Sequence, residues 1–491
     1  MLRFFRLPGA LVGLLVLAGC GTTNTNYITG ENQRGAYTWA QEVQIGQEAD
    51  GQIVAQYGVY DDAQVTAYVN RIADEVLQTS AYTDPGTPAE VRSTRFTFRV
   101  LDSPVVNAFA LPGGFIYVTR GLLSYLENEA QLAVVLGHEI GHVLGRHSSQ
   151  RAARQQLGQL GLLGAAVLGT VVGGGQVGQG ILEYGGAGTQ LLFLKNGRDA
   201  EREADQAGVA YAEFAGYNAE TAARFFVSLE RLSTQGGGSL PGFLSTHPDP
   251  AERAQTIPQL AAQYDGTELN ESAYLNTIEN IILGEDPRQG FTEGNTFYHP
   301  ELRFQFSYPN GWQLQNSAQA VVMAGPNNSG AIQFTLAPES SASAAAQAFR
   351  QQQGLTISDQ RSTRIGGSPA VEMTGSAQQQ NGALGFKAAF IERGGRVYKF
   401  LGIAPTASFR QVSGQFDRTF RSFDGLTDSA YLNRQPVRLE LVRATGGRSF
   451  ASYLRGRPTP PGMSEEEIAI MNQARLTDSI PSGATLKLPA N

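Results

Sequence analysis

The chain has 491 residues, with 44 acidic side chains against 37 basic ones and a formal net charge of −7. This acidic balance argues against a nucleic-acid partner, because nucleic-acid-binding proteins usually present a basic face. The single cysteine, Cys20, excludes a disulfide framework and a cysteine-based zinc or iron–sulfur site. The length predicts two to four domains, each able to bury its own core.

The first twenty residues predict a secretory signal that ends at a lipid attachment site. Two arginines precede an apolar run from Leu11 to Leu17, and small residues then lead to Cys20. This pattern resembles the lipobox of bacterial lipoproteins, in which that cysteine is lipidated. Residues 1–19 are therefore predicted to be a lipoprotein signal peptide, and the polar residues 20–36 a lipidated tether. No aspartate follows Cys20, which favours the periplasmic face of the outer membrane.

Residues 37–285 are predicted to form a mostly helical domain with a small sheet. Arg95–Leu101 alternates like a strand, and Phe115–Thr119 follows a turn signal as a second strand. A capping box of Ser124 with Glu127 then predicts a long helix that runs to about residue 156.

A glycine-rich stretch without charges, residues 157–182, follows this helix. It is long enough to span a bilayer, but a buried or interfacial helical hairpin over the core is the favoured interpretation. A further helix is expected from about Arg198 to Ala215.

The character of the chain changes near residues 285–296, where a domain boundary is predicted. Residues 296–425 show short alternating runs and two helix-like segments, which favour an α+β domain with an antiparallel sheet. Residues 434–491 predict a small βααβ module. The predicted strands of the α+β domain are Arg303–Tyr308, Ala331–Leu336, Ala388–Ile391 and Val397–Gly402, and its helices are Ser341–Gln353 and Ser408–Phe420. These patterns predict a multidomain α+β protein.

An HExxH motif runs from His138 to His142 on the predicted long helix. Positions i and i+4 of a helix are offset by only about 40°, so both imidazoles can bind one metal ion. Glu139 lies beside them and can take a proton from a water that the metal activates. Gly137 and Gly141 flank the ligands and would permit close packing around the metal.

A catalytic zinc needs a third protein ligand and one open position. Glu201 is a better candidate for this ligand than His147, because Asp205 lies at i+4 from Glu201 and could hydrogen-bond a ligand imidazole. Alternatively, these acidic residues only form the solvated start of a helix. Glu203 is the second choice of ligand. His147 is predicted to be a solvated residue at the helix end, since it points to a different side of the helix from His142.

The motif and its surroundings resemble the zinc metallopeptidases of the HtpX-like and CAAX-prenyl-protease type, peptidase family M48. The resemblance rests on HEIGH, on the later ExxAD, on the segment Asn107–Gly114, and on Thr246-His247-Pro248 with Arg253. It covers about residues 40–260 and implies a gluzincin-like fold. It implies one zinc ion per chain on His138, His142 and Glu201, with Glu139 as general base. Gly197 departs from the serine that many members carry.

The resemblance implies an endopeptidase acting on unfolded or misassembled envelope proteins, anchored to the membrane through the lipid on Cys20. Phe115–Thr119 is a candidate edge strand for pairing with an extended substrate, with ordinary sheet structure as the alternative. His247 could reach the open metal position and close the site, or it could cap a helix. A metal-binding chaperone or scaffold of the envelope, with latent proteolysis, is the alternative function.

The remaining segments carry weaker resemblances. Residues 298–312 look like the opening of a PsbP/Mog-type domain, and His299 is interpreted as structural. Residues 434–491 resemble a degenerate LysM-like module, so that a peptidoglycan contact or a protein-docking role is expected for them. A peptidoglycan-binding structural protein is a third, weaker hypothesis for the whole chain.

Overall fold

The computed structural model describes residues 22–154, 197–234, 242–379 and 382–491. The predictions for the signal peptide, Cys20, residues 157–182 and the glycine-rich stretch Gln235–Ser239 lie outside these ranges. Within them the protein is a multidomain α+β structure. No helix in the described ranges has both the length and the apolar character needed to cross a membrane.

The first domain is mostly helical, as predicted. Side-chain caps mark several helix starts, such as Thr38 before α1, where a complete capping box forms. Its helices are α1 (Trp39–Tyr57), α2 (Ala63–Gln78), α3 (Ala89–Arg92), α4 (Arg120–Tyr125), α5 (Glu129–Leu144), α6 (Arg198–Phe214), α7 (Ala222–Thr234), α8 (Gly242–Thr246), α9 (Pro250–Ala261) and α10 (Glu271–Ile278), with a 3-10 turn at Ala219–Thr221 and a further helical stretch at residues 147–154.

Residues 22–35, which lie within the segment 20–36 predicted to be a polar tether, form a hairpin. Strands β1 (Thr22–Thr25) and β2 (Asn32–Gly35) pair antiparallel. The hairpin packs onto the end of α5, where the Tyr27 amide donates to the Leu144 carbonyl at 3.0 Å. The polar residues of this hairpin form the hydrogen bonds that hold it in place. The side chain of the buried Asn24, for example, donates to the Tyr37 carbonyl and to Ser149.

The small sheet of this domain has three strands, β3 (Thr97–Leu101), β4 (Ala108–Leu111) and β5 (Phe115–Thr119), in the order β3-β5-β4. Strand β5 pairs parallel with β3 and antiparallel with β4. Of the two interpretations of Phe115–Thr119, the edge strand is therefore wrong and ordinary sheet structure is confirmed. Both of its backbone edges are used, and all five of its residues are buried.

Helix α5 begins later and ends earlier than predicted. Its N-cap is Asn128, whose side chain accepts from the Gln131 amide, so the capping box of Ser124 with Glu127 does not form. The helix ends at Leu144, and Arg146 takes the left-handed conformation with φ of 56°. A left-handed non-glycine residue cannot continue a helix. The chain therefore turns before the helical stretch 147–154.

The backbones of helices α5 and α6 are in close contact, because glycines lie where the two helices meet. A Cβ atom on Gly208 would lie 2.7 Å from the backbone nitrogen of His138, and one on Gly137 would lie 2.9 Å from the carbonyl oxygen of Gly208. Gly141 faces Ala204 and Ala207 in the same seam. The expectation that the glycines beside the motif permit close packing is confirmed.

The second domain is built on antiparallel sheets, as predicted. Its elements are β6 (Phe291–Glu293), β7 (Thr296–His299), β8 (Phe304–Ser307), β9 (Gln313–Asn316), β10 (Ala320–Ala324), β11 (Ala331–Ala337), α11 (Ala342–Arg350), β12 (Leu355–Ile365), β13 (Ser368–Gln379), β14 (Gly382–Arg393), β15 (Arg396–Pro405), α12 (Thr406–Arg421) and β16 (Asp424–Gly425), with 3-10 turns at Pro287–Gln289 and Pro326–Asn328. A seven-stranded sheet has the order β12-β13-β14-β15-β11-β10-β9, and a four-stranded sheet has the order β16-β8-β7-β6. Phenylalanines are the most frequent residues of the core between these sheets and α12, for example Phe304, Phe334 and Phe400.

The last segment has the predicted strand, helix, helix, strand order, but it shares its core with the first domain. Leu439, Phe450 and Leu488 belong to the same buried cluster as the interior of the helical domain. The elements are α13 (Ser429–Leu432), β17 (Arg438–Arg443), β18 (Arg448–Ser449), α14 (Phe450–Leu454), α15 (Glu465–Met471), β19 (Ser479–Ile480) and β20 (Thr485–Ala490), with β17 paired to β20 and β18 to β19.

Lys487 ties this segment to the first domain. Its ammonium group is buried and donates to the carbonyl oxygens of Ser124 at 2.7 Å and Leu126 at 2.8 Å. Burial lowers the pKa of Lys487 to about 8. Lys487 thus joins the segment 434–491 to the backbone of the residues that directly precede α5.

We expect Gly208→Ala to lower the free energy of unfolding by about 1–3 kcal/mol, because the added methyl group overlaps the backbone of α5. Urea unfolding of the whole chain measures the change. Gly51→Ala is the matched control, since a Cβ at this position of α1 meets nothing within 4 Å. The control should be neutral or stabilising by up to about 1 kcal/mol. Equal effects of the two substitutions would contradict the close contact of the helices.

We expect Lys487→Ala to lower the free energy of unfolding by about 1–3 kcal/mol at pH 7, because two buried carbonyls lose their donor. The difference from the wild type should grow as the pH rises through 8 towards 10.5. In that interval the unfolded chain binds the Lys487 proton and the folded chain does not, so the wild type gains stability.

Urea unfolding of both proteins at several pH values tests the Lys487 prediction. Lys387→Ala is the control, since Lys387 forms a partly exposed ion pair with Asp417 in the second domain. Removal of such a pair should cost about 1 kcal/mol or less. A difference for Lys487→Ala that stays constant between pH 8 and 10.5 would show that the buried lysine keeps an ordinary pKa.

Candidate metal centre

Four buried side chains from three helical segments converge on one point. His138 and His142 come from α5, Glu201 from α6, and His247 from the residue after α8. One potential ligand atom from each lies within 4.8 Å of all the others. The sequence predicted three of these as metal ligands, and the structure brings those three together with His247.

The metal-facing atoms of the two motif histidines are their Nε2 nitrogens. These lie 2.9 Å apart, because the two rings leave one helix face a single turn apart. Glu201 Oε1 is 3.3 Å from His142 Nε2, and Glu201 Oε2 is 3.7 Å from His138 Nε2. Two imidazole nitrogens and one carboxylate are the protein ligands of many catalytic zinc sites.

The electrostatics of the cluster favour the forms that bind a metal. Burial lowers the pKa of His138 and of His142 well below the ordinary value, so both rings are neutral. Burial alone would raise the pKa of Glu201, but His247 and His142 outweigh it and lower this pKa, so the carboxylate is ionised. Neutral imidazole and ionised carboxylate are the coordinating states.

Asp205 orients His138 from behind, as the i+4 spacing from Glu201 predicted. Its Oδ1 lies 2.9 Å from His138 Nδ1, on the ring nitrogen opposite the metal-facing one. Arg253 Nε donates to Asp205 Oδ2 at 3.0 Å, and the guanidinium lies 4.1 Å from the centre of the Phe226 ring. The sequence indicates Arg253 only as part of a family signature. Its position on α9, four residues after Asp249, gives no local sign of this contact.

Glu139 points into the cluster without a hydrogen-bond partner. The side chain is completely buried, and neither carboxylate oxygen has a partner within the described part of the chain. Burial raises the pKa of Glu139 to about 7. Buried polar atoms nearly always have a hydrogen-bond partner, so these two oxygens indicate a place where a polar molecule such as water can bind.

His247 is part of the cluster. Its Nδ1 lies 3.1 Å from both oxygens of Glu201, and its Nε2 lies 3.4 Å from Glu139 Oε1. The ring stacks on Phe243, with 4.5 Å between the ring centres. Burial alone would lower the pKa of His247, but the carboxylates of Glu201 and Glu139 outweigh it and raise the pKa.

His147 is not the solvated helix-end residue that the sequence predicted. It is 4% exposed, and its Nδ1 lies 2.7 Å from His142 Nδ1. The prediction assumed that α5 continues through residue 147, where the ring would point away from His142. The left-handed Arg146 turns the chain and brings His147 back under α5.

Glu203, the second choice of ligand, lies outside the metal-facing group. Its Oε1 lies 3.2 Å from His147 Nε2 and accepts from the amide of Asn26 in the N-terminal hairpin. Burial alone would raise the pKa of Glu203, but these two hydrogen bonds outweigh it and lower the pKa. Sequence spacing could not assign this role, because both contacts join residues more than 50 positions apart.

The geometry can be compared with known proteins. Residues 63–261 match the sequence profile described as peptidase family M48. The chain is 28% identical over 264 residues to the mitochondrial metalloendopeptidase OMA1 of Schizosaccharomyces pombe, covering 52% of this chain and 71% of that protein. It is 30% identical over 219 residues to the beta-barrel assembly-enhancing protease of Escherichia coli strain K12, covering 43% of this chain and 42% of that protein.

The solved structure of cyanobacterial PsbP from Synechocystis sp. PCC 6803 matches 26% of this chain and 91% of its own chain, at 12% identity and a TM-score of 0.22. The predicted PsbP/Mog-type likeness of the second domain stays a prediction.

The family match spans every element that carries the metal-facing group, from α2 to α9. Residues 63–261 of this chain are therefore a metallopeptidase domain of peptidase family M48.

Proposed function

We propose that this protein is a zinc-dependent endopeptidase that hydrolyses peptide bonds of unfolded or misassembled proteins of the bacterial envelope. The observation that carries the proposal is the buried group of His138, His142 and Glu201 beside the buried carboxylate of Glu139, which has no hydrogen-bond partner within the described residues. The family match supports hydrolysis of polypeptides as the reaction.

The donor set fits one zinc ion per chain. It contains imidazole nitrogens and a carboxylate, and Cys20 is the only thiol of the sequence. Zinc accepts such mixed nitrogen and oxygen ligands in a four-coordinate site, whereas magnesium and calcium prefer oxygen ligands alone. In this site zinc would act as a Lewis acid on the scissile carbonyl and would lower the pKa of a water molecule.

Glu139 is placed to move the proton of the reaction. A pKa raised to about 7 lets its carboxylate take a proton from the attacking water and later return it to the leaving amine. His138, held by Asp205, and His142 would keep the ion close to this carboxylate. We propose the roles of metal ligand for His138, His142 and Glu201, of general base for Glu139, and of positioning residue for Asp205.

We propose that an extended substrate pairs with β4 and not with the central β5. Within the described strands, β4 (Ala108–Leu111) has a strand neighbour only on its β5 side, so its other side is an edge of this sheet. Pairing of this kind reads the main chain and tolerates many side chains, as a quality-control protease requires. The similarity to the beta-barrel assembly-enhancing protease of Escherichia coli supports substrates from the envelope.

The location we propose is the periplasmic face of the outer membrane, with the protein anchored by lipid on Cys20. The lipobox-like sequence before this cysteine supports the anchor. A peptidoglycan contact through residues 434–491 stays a prediction. The docking of this segment on the first domain through Lys487 is equally compatible with a protein-docking role.

We expect Glu139→Gln to keep zinc and to abolish cleavage, because the amide fills the same space and cannot accept the proton. Zinc content by elemental analysis and casein digestion on the full chain measure the two results. The exposed Glu90→Gln is the matched control and should retain both zinc and activity. If the wild-type protein contained no zinc, or if Glu139→Gln still cleaved casein, the proposal would be overturned. An envelope role that survives intact in Glu139→Gln would favour the scaffold alternative.

We expect His247→Ala to raise peptidase activity. His247 lies within 3.4 Å of Glu139 and within 3.2 Å of His138 Nε2, where it occupies space that water and substrate need. The structure therefore corresponds to a closed site under this proposal. Initial rates of casein digestion for the variant and for a His299→Ala control measure the effect. Unchanged or lost activity in His247→Ala would contradict self-inhibition by this side chain.

A further inference from the structure

We infer that His147 is a positioning residue for His142, and that Glu203 and the N-terminal hairpin fix His147 for this role. The inference rests on the proposed function, because it concerns how one metal ligand is held. It extends that function to residues outside the HExxH motif and its metal ligands.

The hydrogen-bond chain determines which nitrogen of each ring carries the proton. His142 faces the cluster with Nε2, so this atom must be unprotonated to bind a metal and the proton must lie on Nδ1. His142 Nδ1–H can then donate to His147 Nδ1, 2.7 Å away. His147 must in turn carry its proton on Nε2, which faces Glu203 Oε1 at 3.2 Å.

Glu203 fixes the direction of this series of hydrogen bonds, because its ionised carboxylate can accept hydrogen bonds but cannot donate them. It accepts from His147 Nε2 and from the side-chain amide of Asn26, both at Oε1. A terminal carboxylate therefore selects one tautomer of His147, and that tautomer selects the metal-binding tautomer of His142. The arrangement mirrors Asp205 behind His138, with one imidazole inserted between the carboxylate and the ligand.

The backbone is built to place His147 in this position. Arg146 is held in the left-handed conformation by a buried ion pair in which its Nε and a terminal guanidinium nitrogen donate to Glu42 Oε1 at 3.0 Å and 2.7 Å. Gly145 leaves room for the ring, since a Cβ there would lie 2.6 Å from His147 Nε2 and 2.9 Å from Glu203 Oε1. Two local features of the turn thus serve the same contact.

The hairpin fastens the same turn from outside. Gln33 Nε2 donates to the Gly145 carbonyl at 2.8 Å, and the Tyr27 amide donates to the Leu144 carbonyl at 3.0 Å. With Asn26 on Glu203, these bonds join residues 22–35 to the support of His142. Without His147, the His142 ring could rotate and exchange tautomers. His142 would then be in its metal-binding orientation and tautomer for a smaller fraction of the time.

The test compares His147→Leu with His147→Asn in the full chain. Leucine fills the space without an acceptor, whereas the side-chain oxygen of asparagine can replace the acceptor at the Nδ1 position. We expect the zinc dissociation constant of His147→Leu to rise about 10–100-fold, and that of His147→Asn to stay closer to the wild type. His299→Leu, at a half-buried histidine of the second domain, is the matched control and should leave zinc affinity unchanged.

Three further measurements separate positioning from a general loss of structure. The visible absorption spectrum of cobalt-substituted protein should change in His147→Leu and return towards the wild type in His147→Asn. At saturating zinc, the kcat of casein digestion should fall in His147→Leu with little change in KM. Thermal unfolding of the metal-free variants reports the structural cost, which should not follow the order of zinc affinities.

The outcomes distinguish this inference from the proposed function. Wild-type protein that neither binds zinc nor cleaves casein would overturn both. Wild-type protein that does both, together with His147→Leu that binds zinc equally tightly and gives the same cobalt spectrum, would overturn the positioning role alone. An equal loss of affinity in His147→Leu and His147→Asn would also overturn it, since the acceptor would then have no specific effect.

Discussion

The metal centre depends on the close contact of helices α5 and α6. Gly137 and Gly208 bring the two backbones so near that a methyl group on either would overlap the other helix. Each helix then contributes a pair of side chains at i and i+4, and the two pairs face each other across the seam. One pair supplies imidazoles, and the other supplies a candidate ligand and the carboxylate behind His138. A larger residue in the seam would separate the two helices and with them the candidate ligands.

The same contact concentrates negative charge in the interior. Glu139, Glu201 and Asp205 are all buried, and Arg253 is the guanidinium that pairs with Asp205 and lies 3.9 Å from Glu201. Buried carboxylates are costly unless a cation or hydrogen bonds compensate them. A divalent ion at the Glu201 position would supply that compensation. Metal binding and the stability of the α5–α6 pair should therefore be coupled, as in other sites whose ligands meet only in the folded chain.

Local patterns were sufficient for the centre of the site but not for its surroundings. The i, i+4 rule placed His138 with His142 and Glu201 with Asp205, because both pairs lie within regular helices. His147 was placed wrongly because the left-handed turn at Arg146 depends on a buried partner about a hundred residues away in the sequence. The bounds of strand β5 follow from the sequence, but its central place in the sheet does not, since its parallel pairing with β3 is a non-local contact. In the second domain the short alternating runs predicted four strands correctly, whereas β12 and β13, rich in charged and polar residues, gave no such signal.

The hairpin changes what a lipid anchor would do. A polar tether of some sixteen residues could hold the catalytic domain roughly 50 Å from the membrane. Strand β1 instead starts at Thr22, two residues after Cys20, so under the proposed anchoring an extended chain allows a separation of only about 7 Å between Cys20 and β1. The same hairpin contacts Glu203 and the end of α5, so the residues nearest the proposed lipid also support His142. Under the proposed anchoring, the hairpin that supports His142 would therefore lie next to the membrane surface.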